Sequence, residues 1–82
     1  MYVKAFIPKG TEYVASFNDE PYKTDKDYYT TVDVEEQDLN NDHWIKHLAK
    51  QNLAKTIAKK EFANIKLYKT IWLDTSDIQI IR

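Results

Sequence analysis

One segment, from residue 41 to residue 63, constrains the fold more than any other part of the chain. Its apolar residues recur at intervals of three or four, and they are Ile45, Leu48, Ala49, Leu53, Ile57 and Ala63. This spacing places them along one side of an α-helix, while most of the neighbouring lysines fall on its other sides. The pattern predicts a helix over residues 41–62 that buries its apolar stripe against the rest of the chain.

The residues that flank this segment predict where the helix begins and ends. Asn40 is a good N-cap, and on that frame Leu39 and Trp44 have the spacing of a hydrophobic staple. Asn64 follows the last periodic residue and readily adopts the left-handed conformation that ends many helices. Local signals therefore bound the predicted helix at both ends.

Five stretches of β-forming residues predict strands before and after the helix. They cover residues 1–7, 11–17, 28–34, 65–73 and 78–81. In the third stretch, Tyr28, Thr30, Val32 and Val34 alternate with more polar residues, which indicates one buried face and one exposed face. The order β-β-β-α-β-β predicts an α+β fold, a small and mostly antiparallel sheet packed on one amphipathic helix. A partly closed small barrel with the helix as its plug is the alternative.

The connection between the first two strands contains the single glycine of the chain, Gly10. Proline and glycine suit the second and fourth positions of a tight turn, so we expect one over residues 7–10 that returns the second strand onto the first. One glycine also excludes the glycine-rich phosphate loops and the G-x-S-x-G nucleophile elbow. The chain has no cysteine, which removes disulfides and thiolate chemistry.

Length and composition set the remaining limits. The chain has 82 residues, of which 43% are hydrophobic, and this is enough for a single domain with one core. No apolar run approaches the roughly 18 residues of a membrane helix, and the N-terminus lacks the features of a signal peptide. We therefore expect a cytoplasmic protein. Since so short a chain has little room for a catalytic cleft as well as a core, we expect it not to be an enzyme.

Two histidines, His43 and His47, lie four residues apart and would share one helix face. Imidazoles at this spacing can both bind a metal, but a metalloprotease motif needs glutamate where this chain has Trp44. A third ligand would have to come from Glu35, Glu36 or Asp38. We favour two solvated histidines and expect no metal and no cofactor.

The net charge of −1 conceals a strong polarity along the chain. Residues 18–42 carry nine carboxylates and two lysines, a net charge of −7, whereas residues 46–69 carry seven lysines and one glutamate, a net charge of +6. This polarity has two interpretations: the two segments pair within the fold, or the acidic segment faces a protein partner. For the second case the predicted acidic surface comprises Asp19, Glu20, Asp25, Asp27, Tyr29, Asp33, Glu35 and Glu36.

The basic segment supports an alternative, a weak nucleic-acid-binding module. Its lysines, with aromatic rings beside them, could follow a phosphate backbone and stack bases. The residues concerned are Lys50, Lys55, Lys59, Lys66, Tyr68 and Trp72. Against it, Arg82 is the sole arginine, and the pI of about 6.1 is low for a dedicated nucleic-acid binder.

The opening segment from Ala5 to Tyr13, A-F-I-P-K-G-T-E-Y, resembles the start of many small phage and mobile-element proteins, in which a strand runs into I-P-K-G-T and an aromatic residue. The resemblance covers about nine residues and implies an accessory gene whose product binds and inhibits a host protein. It carries no catalytic or binding residues to transfer.

Together these features predict a small protein-interaction module, and the resemblance of the opening segment implies an inhibitor of a host defence or nucleic-acid-handling protein. It would act as a monomer or a homodimer. A dimer would form through an edge strand at residues 78–81 or through the aromatic face of Tyr68 and Trp72.

Overall fold

A computed structural model describes residues 1–17 and 20–82 of the chain. Within these ranges the regular elements are β1 (Tyr2–Ile7), β2 (Glu12–Ala15), β3 (Tyr22–Lys23), β4 (Tyr28–Asp33), α1 (Asp42–Phe62), β5 (Ile71–Leu73) and β6 (Gln79–Ile81). Three short 3-10 helices join them, at Glu36–Asp38, Ile65–Thr70 and Thr75–Asp77.

The strands form two three-stranded antiparallel sheets, ordered β4-β1-β6 and β3-β2-β5. Helix α1 packs against strands of both sheets and against the 3-10 helix at Ile65–Thr70. The predicted α+β class, antiparallel strands around one helix, is confirmed. The sheets do not close on one another, so the barrel alternative is wrong.

The predicted hairpin between the first two strands is wrong, because β2 belongs to the other sheet. The turn lies one residue later than predicted: the Thr11 N–H donates to the Pro8 carbonyl (3.2 Å), and Gly10 has φ 86°. A positive φ at the third position marks a type II turn, which suits glycine. The Gly10 N–H then donates to the Thr24 carbonyl (2.8 Å), so the chain leaves the turn beside the segment of β3 rather than beside β1.

Helix α1 begins one residue later than the predicted cap implies. The Asn41 side chain accepts a hydrogen bond from the Trp44 N–H (3.2 Å), which makes Asn41 the N-cap in place of Asn40. On this frame Trp44 is the third helical residue, so the predicted staple with Leu39 does not have the required spacing. The predicted end of the helix at Phe62 is confirmed.

The left-handed residue that ends α1 is Ala63 (φ 52°), and not Asn64 as predicted. The Asn64 N–H donates back to the Ala58 carbonyl (3.1 Å), a closure typical of helix C-termini. Asn64 itself is extended, and its side chain accepts from the Lys66 N–H (3.0 Å). This bond starts a new helical turn immediately after α1.

That turn explains why the predicted strand over residues 65–73 is wrong in its first six residues. They form the 3-10 helix Ile65–Thr70, closed at its end by the Thr70 hydroxyl, which donates to the Leu67 carbonyl (2.6 Å). Only β5 remains as strand, and it pairs with β2 in the register Val14↔Trp72. Tyr68 and Trp72 therefore do not share one strand face.

The core lies between α1 and the inner faces of both sheets. Its buried side chains come from α1, from strands of both sheets and from the connecting segments. They are Ala5, Ile7, Tyr13, Tyr28, Val32, Val34, Ile45, Ala49, Leu53, Ala54, Ile57, Ala58, Ile71, Leu73 and Ile78. The predicted alternation from Tyr28 to Val34 is confirmed, and four of the six predicted helix positions are buried.

Along the described ranges, 1–17 and 20–82, no helix combines the length and apolarity that crossing a membrane requires.

Candidate functional site

The charged segments remain largely separate on the surface. Outside residues 18 and 19, the ion pairs that the structure describes join the N-terminal ammonium to Asp33 (2.9 Å) and Arg82 to Asp42. Neither pair joins a lysine to a carboxylate. Internal neutralisation of the acidic segment by the lysine segment, one of the two possibilities raised by the sequence, has no described ion pair behind it.

The predicted acidic surface divides into two groups at opposite ends of β4. Glu20, Asp25 and Asp27 lie before the strand, and Asp33, Glu35 and Glu36 lie at its far end. All are exposed, whereas Asp19 lies outside the described residues. A strand of six residues spans about 20 Å, so the two groups are separate patches. In the first group, Asp27 accepts a hydrogen bond from the Lys9 N–H (2.7 Å).

The second group borders a groove of about 500 Å³ at the start of α1. We call it the acidic groove, and it is lined by Met1, Asp33, Val34, Glu35, Asp38, Trp44 and Leu48. The Trp44 side chain is 41% exposed there, although its backbone is held by the helix cap. An exposed aromatic ring with carboxylates around it provides both an apolar anchor and a charged rim.

The tyrosines near the acidic residues have different roles. Tyr29 is 54% exposed and stacks on Phe6 across the β1–β4 pair (5.2 Å between ring centroids). Tyr28 is buried, and its hydroxyl donates to Glu61 of α1 (2.5 Å). Burial first, and then this hydrogen bond, raise the pKa of Tyr28 well above its usual range. Tyr28 therefore belongs to the core, and Tyr29 is available to a partner.

Near Tyr28, Tyr13 is also a core residue. It is buried, and its ring stacks on Tyr22 at a centroid distance of 5.4 Å. Burial, with the Glu61 carboxylate as the next cause, raises the pKa of Tyr13 to about 12. Both buried tyrosines are thus neutral at ordinary pH, and the hydroxyl of Tyr28 joins β4 to Glu61 of α1.

A second groove, of about 300 Å³, lies between α1, the 3-10 helix Ile65–Thr70 and β5. We call it the lysine–aromatic groove, and it is lined by His47, Lys50, Gln51, Ala54, Tyr68, Lys69, Ile71 and Trp72. Trp72 is 59% exposed. Among residues 1–17 and 20–82, no carboxylate lines this groove, and its lysines make it positive.

Lysines lie over the two aromatic rings of this groove. The Lys50 Nζ is 5.4 Å from the centre of the Trp72 ring, and the Nζ atoms of Lys55 and Lys69 are 5.0 and 5.9 Å from that of Tyr68. At these distances each ammonium makes a cation–π contact. The lysines are therefore held near the aromatic surface, and none of them forms an ion pair with a carboxylate of residues 1–17 or 20–82.

The structure thus brings together part of the predicted basic set. Lys50, Tyr68 and Trp72 share the groove, with Lys55 beside Tyr68, while Lys59 and Lys66 are exposed outside the lining. Five lining residues were missed by sequence reasoning: the polar His47, Gln51 and Lys69, and the apolar Ala54 and Ile71. The spacing of residues 47, 50, 51 and 54 on one helix face was a usable signal for the first two. Lys69 required knowledge of the 3-10 helix.

The two grooves meet at a ring stack on α1. Trp44 lines the acidic groove, His47 lines the lysine–aromatic groove, and their rings lie 5.6 Å apart and nearly parallel.

Within the described residues, no three His, Cys, Asp or Glu side chains are grouped as a metal site would need. The pair His43 and His47 therefore gains no third ligand from Glu35, Glu36 or Asp38.

The predicted dimer seams are both accessible. Strand β6 is an edge strand of its sheet, and Trp72 is exposed beside the half-buried Tyr68. The choice between monomer and homodimer stays a prediction.

Comparison of the chain with protein-family models, with curated proteins and with solved structures finds no match.

Proposed function

We propose that this protein is a small, non-enzymatic interaction module that binds a basic surface of a partner protein through its acidic groove and the carboxylates beside it. The context implied by the opening segment, a phage or mobile-element accessory gene, suggests a host protein of defence or nucleic-acid handling as the partner. By covering the partner's basic surface, the module would inhibit it.

The observation that carries this proposal is the set of carboxylates that line one groove with the exposed Trp44: Asp33 pairs with the N-terminal ammonium, while Glu35 and Asp38 have no ion pair within the part of the chain that the structure describes. Protein interfaces commonly place an aromatic anchor at the centre and polar or charged groups at the rim. Trp44 and Leu48 supply an apolar centre here, and Asp33, Glu35 and Asp38 supply the rim. This arrangement suits a partner that presents a lysine or arginine beside an apolar side chain.

The charge of this surface also predicts how binding depends on salt. Exposed carboxylates attract a basic partner over about 10 Å at 0.1 M salt, and this attraction speeds association. Added salt screens it, so the association rate should fall while the dissociation rate changes less. A partner held mainly by apolar contacts would not show this behaviour.

The test is affinity purification from host lysate with three baits that carry equal tags. The first is the wild type, the second is Glu35→Lys/Glu36→Lys, and the third is Glu12→Lys/Asp77→Lys. Both variants change the charge by the same amount, and all four positions are exposed. We expect a protein captured by the wild type to be lost from the Glu35→Lys/Glu36→Lys bait and retained by the control bait.

The captured protein is then purified, and its association rate with the wild type is measured at two salt concentrations. A basic partner whose association slows with salt, and whose own activity falls when the module is added, supports the proposal. Equal capture by all three baits, or capture that salt does not affect, contradicts it.

A further inference from the structure

We propose that the lysine–aromatic groove is a separate binding site for single-stranded nucleic acid, in which one base stacks on Trp72 and the adjoining phosphates contact lysines. The lining residues described for this site and for the acidic groove are different. It does not depend on the function proposed above, and it can be tested independently.

The ring of Trp72 is the stacking surface. It is 59% exposed on β5, a strand fixed in the sheet by its pairing with β2, so the ring is held on a rigid element. The Lys50 ammonium lies over this ring in the free protein. An exposed cation–π contact is weaker than the stacking of a base on an aromatic side chain. A base can therefore displace Lys50, and the released ammonium can pair with a phosphate.

The charge of the groove selects an anion. Lys50 and Lys69 line it, and Lys55 is held beside it over Tyr68, so three ammonium groups lie around one cavity. Asp74 follows Trp72 by two residues and carries the carboxylate that is closest in sequence to this groove residue. It accepts a hydrogen bond from the Ser76 N–H (2.9 Å), which lowers the pKa of Asp74, with a smaller contribution from Lys50. It does not line the groove.

The distribution of lysines favours a nucleic-acid chain over a free nucleotide. A cavity of about 300 Å³ accommodates one nucleotide unit, which would occupy the contacts of Lys50 and Lys69. Lys55, Lys59 and Lys66 lie outside the lining and would remain unused by a mononucleotide. From Lys50 to Lys55, α1 rises about 7.5 Å, and Lys55 lies over Tyr68 beside the groove, so its ammonium can contact a further phosphate of a continuous strand.

A single strand is favoured over a duplex because stacking on Trp72 requires an unpaired base. Reading of base edges in a duplex relies strongly on arginine, and Arg82, the sole arginine, is paired with Asp42 away from the groove. We therefore expect binding with little sequence preference.

The test is a fluorescence anisotropy titration with a labelled oligothymidylate of about 12 nucleotides. At about 50 mM NaCl we expect saturable binding. If three lysines contact phosphates, affinity should fall roughly 20-fold at about 200 mM NaCl, because each phosphate contact on a single strand releases counterions. Absence of binding at the lower salt concentration overturns the proposal.

Variants locate the site. Trp72→Ala should weaken binding about 10-fold, whereas Trp72→Phe should retain most of the affinity because phenylalanine also stacks. Tyr29→Ala is the matched control, since Tyr29 is similarly exposed but lies on the other sheet. Equal losses in Trp72→Ala and Tyr29→Ala, or no loss in either, contradict the proposal. Circular dichroism confirms that each variant is folded.

The lysines and the ligand class are tested in the same assay. Lys50→Gln/Lys69→Gln should weaken binding and make its salt dependence shallower, while the exposed pair Lys4→Gln/Lys9→Gln should change neither as much. Thymidine monophosphate and an unlabelled duplex are the competitors. Displacement of the oligonucleotide by either one at the concentration of an unlabelled single strand overturns the assignment to single-stranded nucleic acid.

The intrinsic fluorescence of Trp72 gives a second measurement of stacking. In a Trp44→Phe background Trp72 is the sole tryptophan, and a base stacked on its ring should quench its emission in proportion to binding. Binding without quenching would place the strand elsewhere on the molecule and contradict the role of Trp72.

Discussion

The two grooves beside helix α1 have similar layouts and opposite charges. Each has an exposed tryptophan, Trp44 in the acidic groove and Trp72 in the lysine–aromatic groove. The stack of Trp44 on His47 lies between them. The first groove takes its charge from the segment that precedes the helix, and the second takes its charge from the helix and the segment that follows. The acidic and basic residues that are separate along the sequence therefore line separate grooves on the surface.

This difference shows that helix α1 does more than support the sheets. Its buried stripe holds the core, while the two sides of its exposed face contribute Trp44 and Leu48 to one groove and His47, Lys50 and Gln51 to the other. Both grooves therefore depend on the same packing, although each has its own chemistry.

The largest effect is expected from the packing that both grooves share. Leu53 is fully buried on α1, and Leu53→Ala should lower the free energy of unfolding by about 2–5 kcal/mol, because it leaves a cavity in the core. Urea denaturation followed by circular dichroism measures this loss. The exposed neighbour provides a control, since Gln51→Ala should change the stability by less than about 0.5 kcal/mol. Similar values for the two variants would show that the helix is not anchored as described.

Alkaline pH should weaken the shared packing through the two buried tyrosines, Tyr13 and Tyr28. Burial and Glu61 raise the pKa of Tyr13 to about 12, from an ordinary value of 10.0, and raise that of Tyr28 further. A raised pKa means that folding favours the protonated phenol. The stabilisation is complete below pH 10 and is lost as pH rises towards the pKa values of the folded protein.

Chemical denaturation between pH 9 and pH 12 measures this loss. Tyr13→Phe/Tyr28→Phe should flatten the decline, because phenylalanine does not ionise. Other tyrosines remain in that variant, and the exposed Tyr2→Phe serves as the control that should leave the profile unchanged. An equally steep decline in the double variant would contradict the assignment.

A smaller effect should distinguish the grooves from each other. Asn41→Ala removes the side chain that caps α1 and should cost about 1 kcal/mol. Because the cap binds the Trp44 backbone, the first turn should loosen around the acidic groove. The emission of Trp44 should then shift, while that of Trp72 should not. Asn40→Ala is the matched control, and a loss of stability as large as that of Asn41→Ala would restore the cap predicted from the sequence.

The comparison also shows how far sequence reasoning reaches. The body of α1 and the two faces of β4 were predictable, because each rests on a periodicity that tertiary contacts reinforce. The cap at Asn40 was wrong by one residue, because two adjacent asparagines offer the same side chain. The 3-10 helix Ile65–Thr70 was not predictable from its β-forming residues, because it depends on Asn64 and on packing against α1.

The grooves also combine features that local sequence patterns predict with features that depend on packing. The helix face with His47, Lys50 and Gln51 can be derived from spacing alone. The position of Lys69 and Tyr68 opposite that face depends on the 3-10 helix, and the acidic groove depends on how the chain turns between β4 and α1. Local patterns thus indicated which charges exist, while non-local packing determined which of them share a groove.

Collisional quenching of the two tryptophans tests the central claim, that opposite charges surround them, most directly. Trp72→Phe leaves Trp44 as the sole emitter, and Trp44→Phe leaves Trp72, so each groove can be observed separately. Iodide is an anion and caesium is a cation, and each should be concentrated by the opposite local charge. We predict that the ratio of iodide quenching to caesium quenching is several-fold higher for Trp72 than for Trp44, and that the difference shrinks with added salt. Equal ratios, or a higher ratio for Trp44, would contradict the account.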